Sequence, residues 1–377
     1  MTLPHDDIDP DGLLEYSVVF TDRSLNHMSQ RFVGVMQDLI GILRTAYHAH
    51  TVAVVPGGGT YGMESVSRQL ATGRRVLVVR NGLFSYRWSQ IFEVGGITDD
   101  VTICAARPVD DSHQAAWTPA PLDEVVATIR DQKPEVVFAP HVETASGIVL
   151  PDDYLRGVAA AVHEVGGLFV LDCVASGALW VDMTDIGVDV LLTAPQKGWS
   201  GSPCAAYVML GEKAREAVRA SQSTSFSMDL AKWLSITEAY TEGKAPYHAT
   251  MPTDALAHNV ELMREARDLG LDKLRDAQVE LGARVRSVLA KAGLPSVAAD
   301  EFASPSVVVV HTDDDGLHSG AAFKKVGMQI AAGVPLHCGE GDDFSTFRLG
   351  LFGLDKLGDV DGTVARLEEG LGKITSH

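Results

Sequence analysis

Two residues of this chain have the types and the spacing for amine chemistry. Asp172 closes the apolar run GLFVLDCVAS, and Lys197 follows the next apolar run, GVDVLLTA, within TAPQKGWSGS. A strand-end Asp followed by a strand-end Lys suits a pyridoxal phosphate (PLP) site. The lysine amine forms a Schiff base with the cofactor, and the acid keeps the pyridine nitrogen protonated. An Asp at the end of a buried strand is costly unless it meets a charged or protonated partner. The ordinary alternatives are a helix N-cap for Asp172 and a solvated surface amine for Lys197. Gln196, just before the lysine, adds a polar group at the same edge.

Four other segments carry candidate chemistry. PGGGTYGMES lies after the apolar run TVAVV and before a helical pattern. Its glycines let backbone N–H groups approach an anion at the positive end of a helix. Gly57, Gly59 and Gly62 match the spacing of a dinucleotide loop, but the next strand, RRVLVVRNG, ends in Arg80 and Asn81 rather than in the acid that would hold a ribose. A single phosphate on Gly58, Gly59 and Thr60 explains the loop as well, and a plain tight turn is the alternative to both. In NGLFSYRWSQ, Phe84 is placed to stack on a flat cofactor ring, or to serve as ordinary core. PHVETASGIVLP brings His141, Glu143 and Thr144 to one strand end. No further ligand pair stands at metal-binding spacing, so Thr144 is read as a hydrogen-bond partner of the cofactor and Ser146 as a loop stabiliser. Arg348, in STFRLGLFG, enters an apolar strand and needs an anion; its fork suits a substrate carboxylate, with an internal ion pair as the alternative.

These residues need a frame. TVAVV, RRVLVVR, VTICAA, PEVVFAP, GGLFVLD, VDVLLTA and AAYVML read as buried strands, and GMESVSRQLATG, LDEVVATIRDQ and PDDYLRGVAAAVHEVGG as helices between them. The alternation implies an α/β fold with a mostly parallel, seven-stranded sheet and helices on both faces. Beyond residue 255 the pattern changes to a long amphipathic stretch over 256–293, the strand SPSVVVVHT, a short helix, the strand FRLGLFG and a last helix. Residues 20–253 are therefore expected to form a large domain and 254–377 a smaller C-terminal α+β domain. Residues 1–19 are expected to be extended and to pack on the small domain or on a partner subunit.

Composition narrows the functional classes. The chain has 377 residues, 46% of them hydrophobic, and a formal charge of −19. Such a surface repels phosphate backbones and anionic lipid, so neither nucleic acid nor a membrane is an expected partner. The acidic opening MTLPHDDIDPDGLLEYS lacks the pattern of a signal peptide, and no apolar run reaches membrane-spanning length. Cys104, Cys173, Cys204 and Cys338 form no CxxC pair, which favours reduced thiols in a cytoplasm over a disulfide framework or structural zinc.

Taken in order, GGGTYGMES, NGLFSYRW, HVETASG, DCVAS, Gln196–Lys197 and FRLG resemble the class V aminotransferases of the fold-type I PLP enzymes, nearest to the alanine–glyoxylate and serine–glyoxylate branch. The resemblance runs from about residue 25 to the end. It implies that Lys197 carries the cofactor, Asp172 pairs with its pyridine nitrogen, Phe84 and Val174 face its ring, and Thr144 supports its phenolic oxygen. Gly59, Thr60 and Gln196 would hold the phosphate, and Arg348 the substrate carboxylate. Members are homodimers in which a Tyr and a Thr reach the partner's phosphate site; PYHATMP supplies Tyr247 and Thr250. Two segments depart from the family: GWSGSPCAA after the lysine, with Trp199 and Cys204, and EYSVVFTDRS near the N-terminus. Both are expected to shape the substrate pocket. The implied reaction is ping-pong transfer of an amino group from an alanine- or serine-type donor to glyoxylate or pyruvate. The rivals are a 2-aminoethylphosphonate transaminase, a cysteine desulfurase acting through Cys338, a catalytically silent binding protein on the same fold and a nicotinamide dehydrogenase.

Overall fold

The computed structural model describes residues 6–375; residues 1–5 of the expected N-terminal arm and the last two of the chain lie outside the described residues. The strands of the main sheet, in chain order, are β1 (Thr51–Pro56), β2 (Val76–Arg80), β3 (Val101–Ala105), β4 (Val136–Pro140), β5 (Leu168–Asp172), β6 (Val190–Thr193) and β7 (Ala205–Leu210). They lie side by side in the order β1-β7-β6-β5-β4-β2-β3. β2, β3, β4, β5 and β6 pair in parallel, while β7 runs antiparallel to both β6 and β1. Every residue of β4, β5, β6 and β7 is buried. Successive side chains on a strand point to opposite faces, so full burial means that both faces are covered. This is the α/β sheet expected from the seven apolar runs.

Local signals set the helix ends. The helix Asp152–Glu164 follows Pro151 and carries Asp152 and Asp153 in its first turn, where their charge complements the helix dipole. The helix Gln30–Tyr47, not among the expected elements, starts at Ser29, whose hydroxyl accepts from the Phe32 N–H, and buries Phe32, Met36, Leu39 and Leu43. The expected long helical stretch over 256–293 is broken. Thr253–Leu269 and Leu271–Lys291 are separate helices, because Gly270 sits at φ +101°, outside helical geometry.

The C-terminal part adds a three-stranded antiparallel sheet of β8 (Val307–His311), β9 (Ala331–Ala332) and β10 (Thr346–Gly350), with β10 in the centre. The first helix after residue 253 packs on the large body: Arg264 pairs with Asp38, and Asp254 accepts the Leu25 N–H at 2.9 Å. No described helix is long and apolar enough to cross a membrane.

Candidate active site

The C-terminal ends of the parallel strands deliver the candidate residues to one edge, where ligands collect in open α/β sheets. β1 leads into the glycine loop, β2 into Phe84, β4 into His141–Thr144, β5 ends at Asp172, and β6 leads to Gln196 and Lys197. Gly59, Thr60, Phe84, Thr144, Asp172, Val174, Gln196 and Lys197 line one cavity of about 220 Å³. Four lining residues were not read from the sequence: Met63, Arg87, Val142 and Ala175.

The glycine loop opens the helix Gly59–Leu70, with Gly58 at its N-cap. A Cβ on Gly59 would lie 2.9 Å from Cγ2 of Val174, so glycine is what allows the helix start to sit this close to the strand-end loop. Gly59 and Thr60 of that first turn line the cavity, so the positive end of the helix dipole borders it.

Phe84 is fixed by Glu143, a fully buried carboxylate. Glu143 accepts from the N–H groups of Phe84 (3.1 Å), Ser85 (2.8 Å) and Ala145 (3.0 Å), and from the Ser85 hydroxyl (2.6 Å). A carboxylate at this helix start is compensated by charge-assisted hydrogen bonds and by the dipole. His141 is buried, which pushes its pKa down to about 4, and its Nδ1 lies 2.7 Å from the Ser176 hydroxyl. The His-x-Glu pattern is thus structural. Ser146 is fully buried, and its Oγ accepts from the Ile148 N–H at 3.4 Å, the loop role expected of it.

Asp172 is 8% exposed and accepts the Val174 N–H at 2.9 Å. Burial pushes its pKa up to about 6; Glu143 adds to the rise, while the Val174 N–H, Lys197 and Arg87 oppose it. Burial pulls Lys197 below its ordinary value; Asp172 opposes this, and the cations Arg348 and Arg87 reinforce it. A lysine that loses its proton more readily has a larger share of its amine in the neutral form that can attack or accept a proton. Its Nζ lies 5.2 Å from the centre of the Phe352 ring. A second cavity of about 330 Å³ opens on the far side of Gln196 and Lys197, bordered by Ser200, Glu265, Phe352 and Asp355.

Four expected residues lie apart from the first cavity's lining: Gly58, at the N-cap of the helix Gly59–Leu70, and Arg348, Tyr247 and Thr250. Arg348, on β10, donates from Nε to the Ala332 carbonyl at 2.8 Å, with its Cζ 5.7 Å from the Phe84 ring centre. Tyr247 and Thr250 bond to each other at 3.2 Å in the loop before the helix Thr253–Leu269, and the Tyr247 ring is exposed.

Of the two segments expected to shape the substrate pocket, GWSGSPCAA brings Ser200 to the second cavity. Trp199 is fully buried against Tyr47 and Trp180, and Cys204 accepts from Asn259 Nδ2 at 3.2 Å. The backbone turns Trp199 into the core, and Ser200 alone faces the second cavity, its hydroxyl accepting the Leu354 N–H at 2.8 Å. In the N-terminal segment, Tyr16 and Val18 face outward and line neither cavity. Cys338 is half-buried, with its Sγ against the Arg80 carbonyl, and burial pushes its pKa up to about 12. A thiol in that state is a poor nucleophile.

The donor set fits PLP. The first helical turn and the side chains of Phe84 and Val174 line the cavity, Asp172 is a buried acid that would suit a pyridinium, and burial lowers the pKa of the Lys197 amine. The Gln196 Oε1 is buried without a partner among the described residues and needs a donor.

Comparison with known proteins agrees with this geometry. The aminotransferase class-V family model matches residues 18–336. A relative from Synechococcus sp. (strain PCC 6716), named soluble hydrogenase small subunit, is 26% identical over 93% of this chain and 88% of its own. A 2-aminoethylphosphonate–pyruvate transaminase from Salmonella agona is 24% identical over 87% of this chain and 86% of its own. Among solved structures, an alanine–glyoxylate aminotransferase from Nostoc sp. superposes with a TM-score of 0.77 at 21% identity, covering 93% of this chain and 88% of that one.

Proposed function

Because the chain belongs to the class-V aminotransferase family, we propose that it uses PLP to move an amino group from a small alanine- or serine-type amino acid to a 2-oxo acid such as glyoxylate or pyruvate. The observation that carries this reading is the convergence of Asp172, Lys197 and Phe84 on one cavity beside a helix N-terminus. When bound, the cofactor supplies a protonated pyridine that draws electrons from the substrate Cα. Asp172 would hold that proton on the ring nitrogen. Phe84, anchored by Glu143, would cover one ring face and exclude water from it. Thr144 would support the phenolic oxygen, and Gly58, Gly59, Thr60 and Gln196 the phosphate. Arg348 would orient the substrate carboxylate so that the Cα proton faces Lys197. The Lys197 amine, its pKa lowered by burial, would take that proton and return one in the second half of the cycle.

A homodimer belongs to the same proposal. Tyr247 and Thr250 line neither cavity at Lys197, and Tyr247 is exposed, as a pair serving a second copy's phosphate site would be. A reducing cytoplasm as the location is supported by the four free cysteines.

A second donor, 2-aminoethylphosphonate, is favoured by the Salmonella relative's name and by an Arg348 that lacks a carboxylate partner among the described residues. The desulfurase reading loses its nucleophile, because the Cys338 thiol is held protonated. A hydrogenase role, as in the Synechococcus relative's name, would call for clustered metal ligands; among the described residues no group of three or more His, Cys, Asp or Glu is arranged to hold an ion.

The test is to add alanine, serine or 2-aminoethylphosphonate to the PLP-loaded protein and follow its visible band. Loss of the band with one donor, and its return with glyoxylate or pyruvate, is expected. A band that no amino donor changes would refute the proposal.

A further inference from the structure

We propose that Arg87 is the cation of the cofactor-phosphate site. This rests on the PLP reading above and extends it to the arginine of NGLFSYRW, a residue to which the sequence assigns no role. The residues assigned to the phosphate, Gly58, Gly59, Thr60 and Gln196, are all uncharged, and so are Tyr247 and Thr250. A phosphate monoester carries between about one and a half and two negative charges at neutral pH. The helix N-terminus contributes only about half a positive charge against that.

Arg87 supplies what is missing. Its Nη1 donates to the Thr60 hydroxyl at 3.1 Å, so the guanidinium already touches the phosphate loop. Its Cζ lies 5.0 Å from the centre of the Phe84 ring, one turn back on the helix Leu83–Gly95. That stacking fixes the planar fork. Glu143 in turn fixes the start of the same helix through the Phe84 and Ser85 N–H groups.

Charge balance points the same way. The chain has 50 acidic side chains and 31 lysines and arginines, so a guanidinium finds carboxylates readily. Arg68, Arg107 and Arg130 each hold one at 2.6–2.8 Å. Arg87 forms no ion pair among the described residues, although it lines the cavity beside Thr60. A substrate carboxylate is the less suitable anion for it. Arg348 approaches from the C-terminal sheet for that task, whereas the polar contact of Arg87 is with the loop that opens the helix Gly59–Leu70.

The experiment titrates apoprotein with PLP and, separately, with pyridoxal, which lacks the phosphate but still reacts with a lysine. Tryptophan fluorescence and the visible band report binding. Arg87→Gln is expected to weaken PLP on the order of 10–100-fold, the scale of a lost charge-assisted hydrogen bond, and to leave pyridoxal unchanged. Arg87→Lys, which keeps the charge but not the fork, is expected to recover part of the loss. A thermal midpoint equal to that of the parent protein shows that each variant is folded. Equal weakening of PLP and pyridoxal, or unchanged PLP affinity, would overturn the assignment. Unchanged PLP affinity with a raised half-saturating donor concentration would hand Arg87 to the substrate instead. If the parent protein bound neither compound, the cofactor reading itself would fall.

Discussion

At the scale of single residues, the chemistry rests on groups held away from their ordinary ionisation. Asp172 is the clearest case: burial raises its folded pKa from 3.8 to about 6. A raised acid favours the fold below its unfolded value, and that contribution is lost as pH rises through the folded value. Apoprotein should therefore lose stability relative to its Asp172→Asn variant between about pH 4 and pH 8, by roughly 3 kcal/mol for a shift of this size. Urea denaturation of the two apoproteins at both pH values measures it; a difference independent of pH would show that Asp172 is not strained by burial. Asp172 and Lys197 were legible in the sequence because each ends or follows an apolar strand, which fixes its position to within a loop. Arg87 stands in the motif NGLFSYRW, but its role was not legible, because that depends on the phase of a helix, one turn after Phe84. The role of Glu143 was hidden too, since its partners are backbone groups at positions 84 and 85. Trp199 misled because a loop sequence does not say which way a side chain turns.

At the scale of elements, the sheet edge sets the site, and small connections set how the C-terminal part is held over it. Trp117 carries one such connection, its N–H donating to the Val297 carbonyl at 2.6 Å and its carbonyl accepting the Ala299 N–H at 3.0 Å. Beside it, His113 lies between Asp313 (Nε2, 2.9 Å) and Asp343 (Nδ1, 2.8 Å), which flank β8 and β10. Both ring nitrogens face carboxylates, so the protonated ring satisfies both and the neutral ring only one. The Asp313 and Asp343 contacts raise the His113 pKa above 6.5. A raised base favours the folded state below its unfolded value and loses that effect as pH climbs through the raised value. His113→Asn should lower the thermal midpoint at about pH 6 and leave it unchanged at about pH 9. Equal effects at both pH values would reduce His113 to a packing residue. The strands of both sheets followed from apolar runs bounded by turn residues, apart from the two-residue β9, too short to leave a pattern. The break at Gly270 escaped notice because the residues on either side of it keep helical spacing.

At the scale of the molecule, a chain of charge −19 gathers Lys197, Arg87 and Arg348 around one region of its surface. The overall field repels anions while the site attracts them, which suits small anionic substrates and disfavours polyanions. Leu13, Tyr16 and Val18 are 70%, 88% and 103% exposed, an apolar surface in keeping with the proposed second copy. The family was legible because its motifs lie far apart in the chain yet in a fixed order, and the parallel sheet brings their strand ends to one edge. The substrate was not, because it is read by side chains from several elements whose directions only the fold defines. The proposed function turns on Lys197 as the amine that would carry the cofactor. Loading the protein with PLP, reducing it with borohydride and mapping its peptides by mass spectrometry tests this directly. A stable phosphopyridoxyl adduct on Lys197, absent in Lys197→Ala, is expected; an adduct spread over surface lysines, with Lys197 unmodified, would rule out Lys197 as the cofactor's anchor.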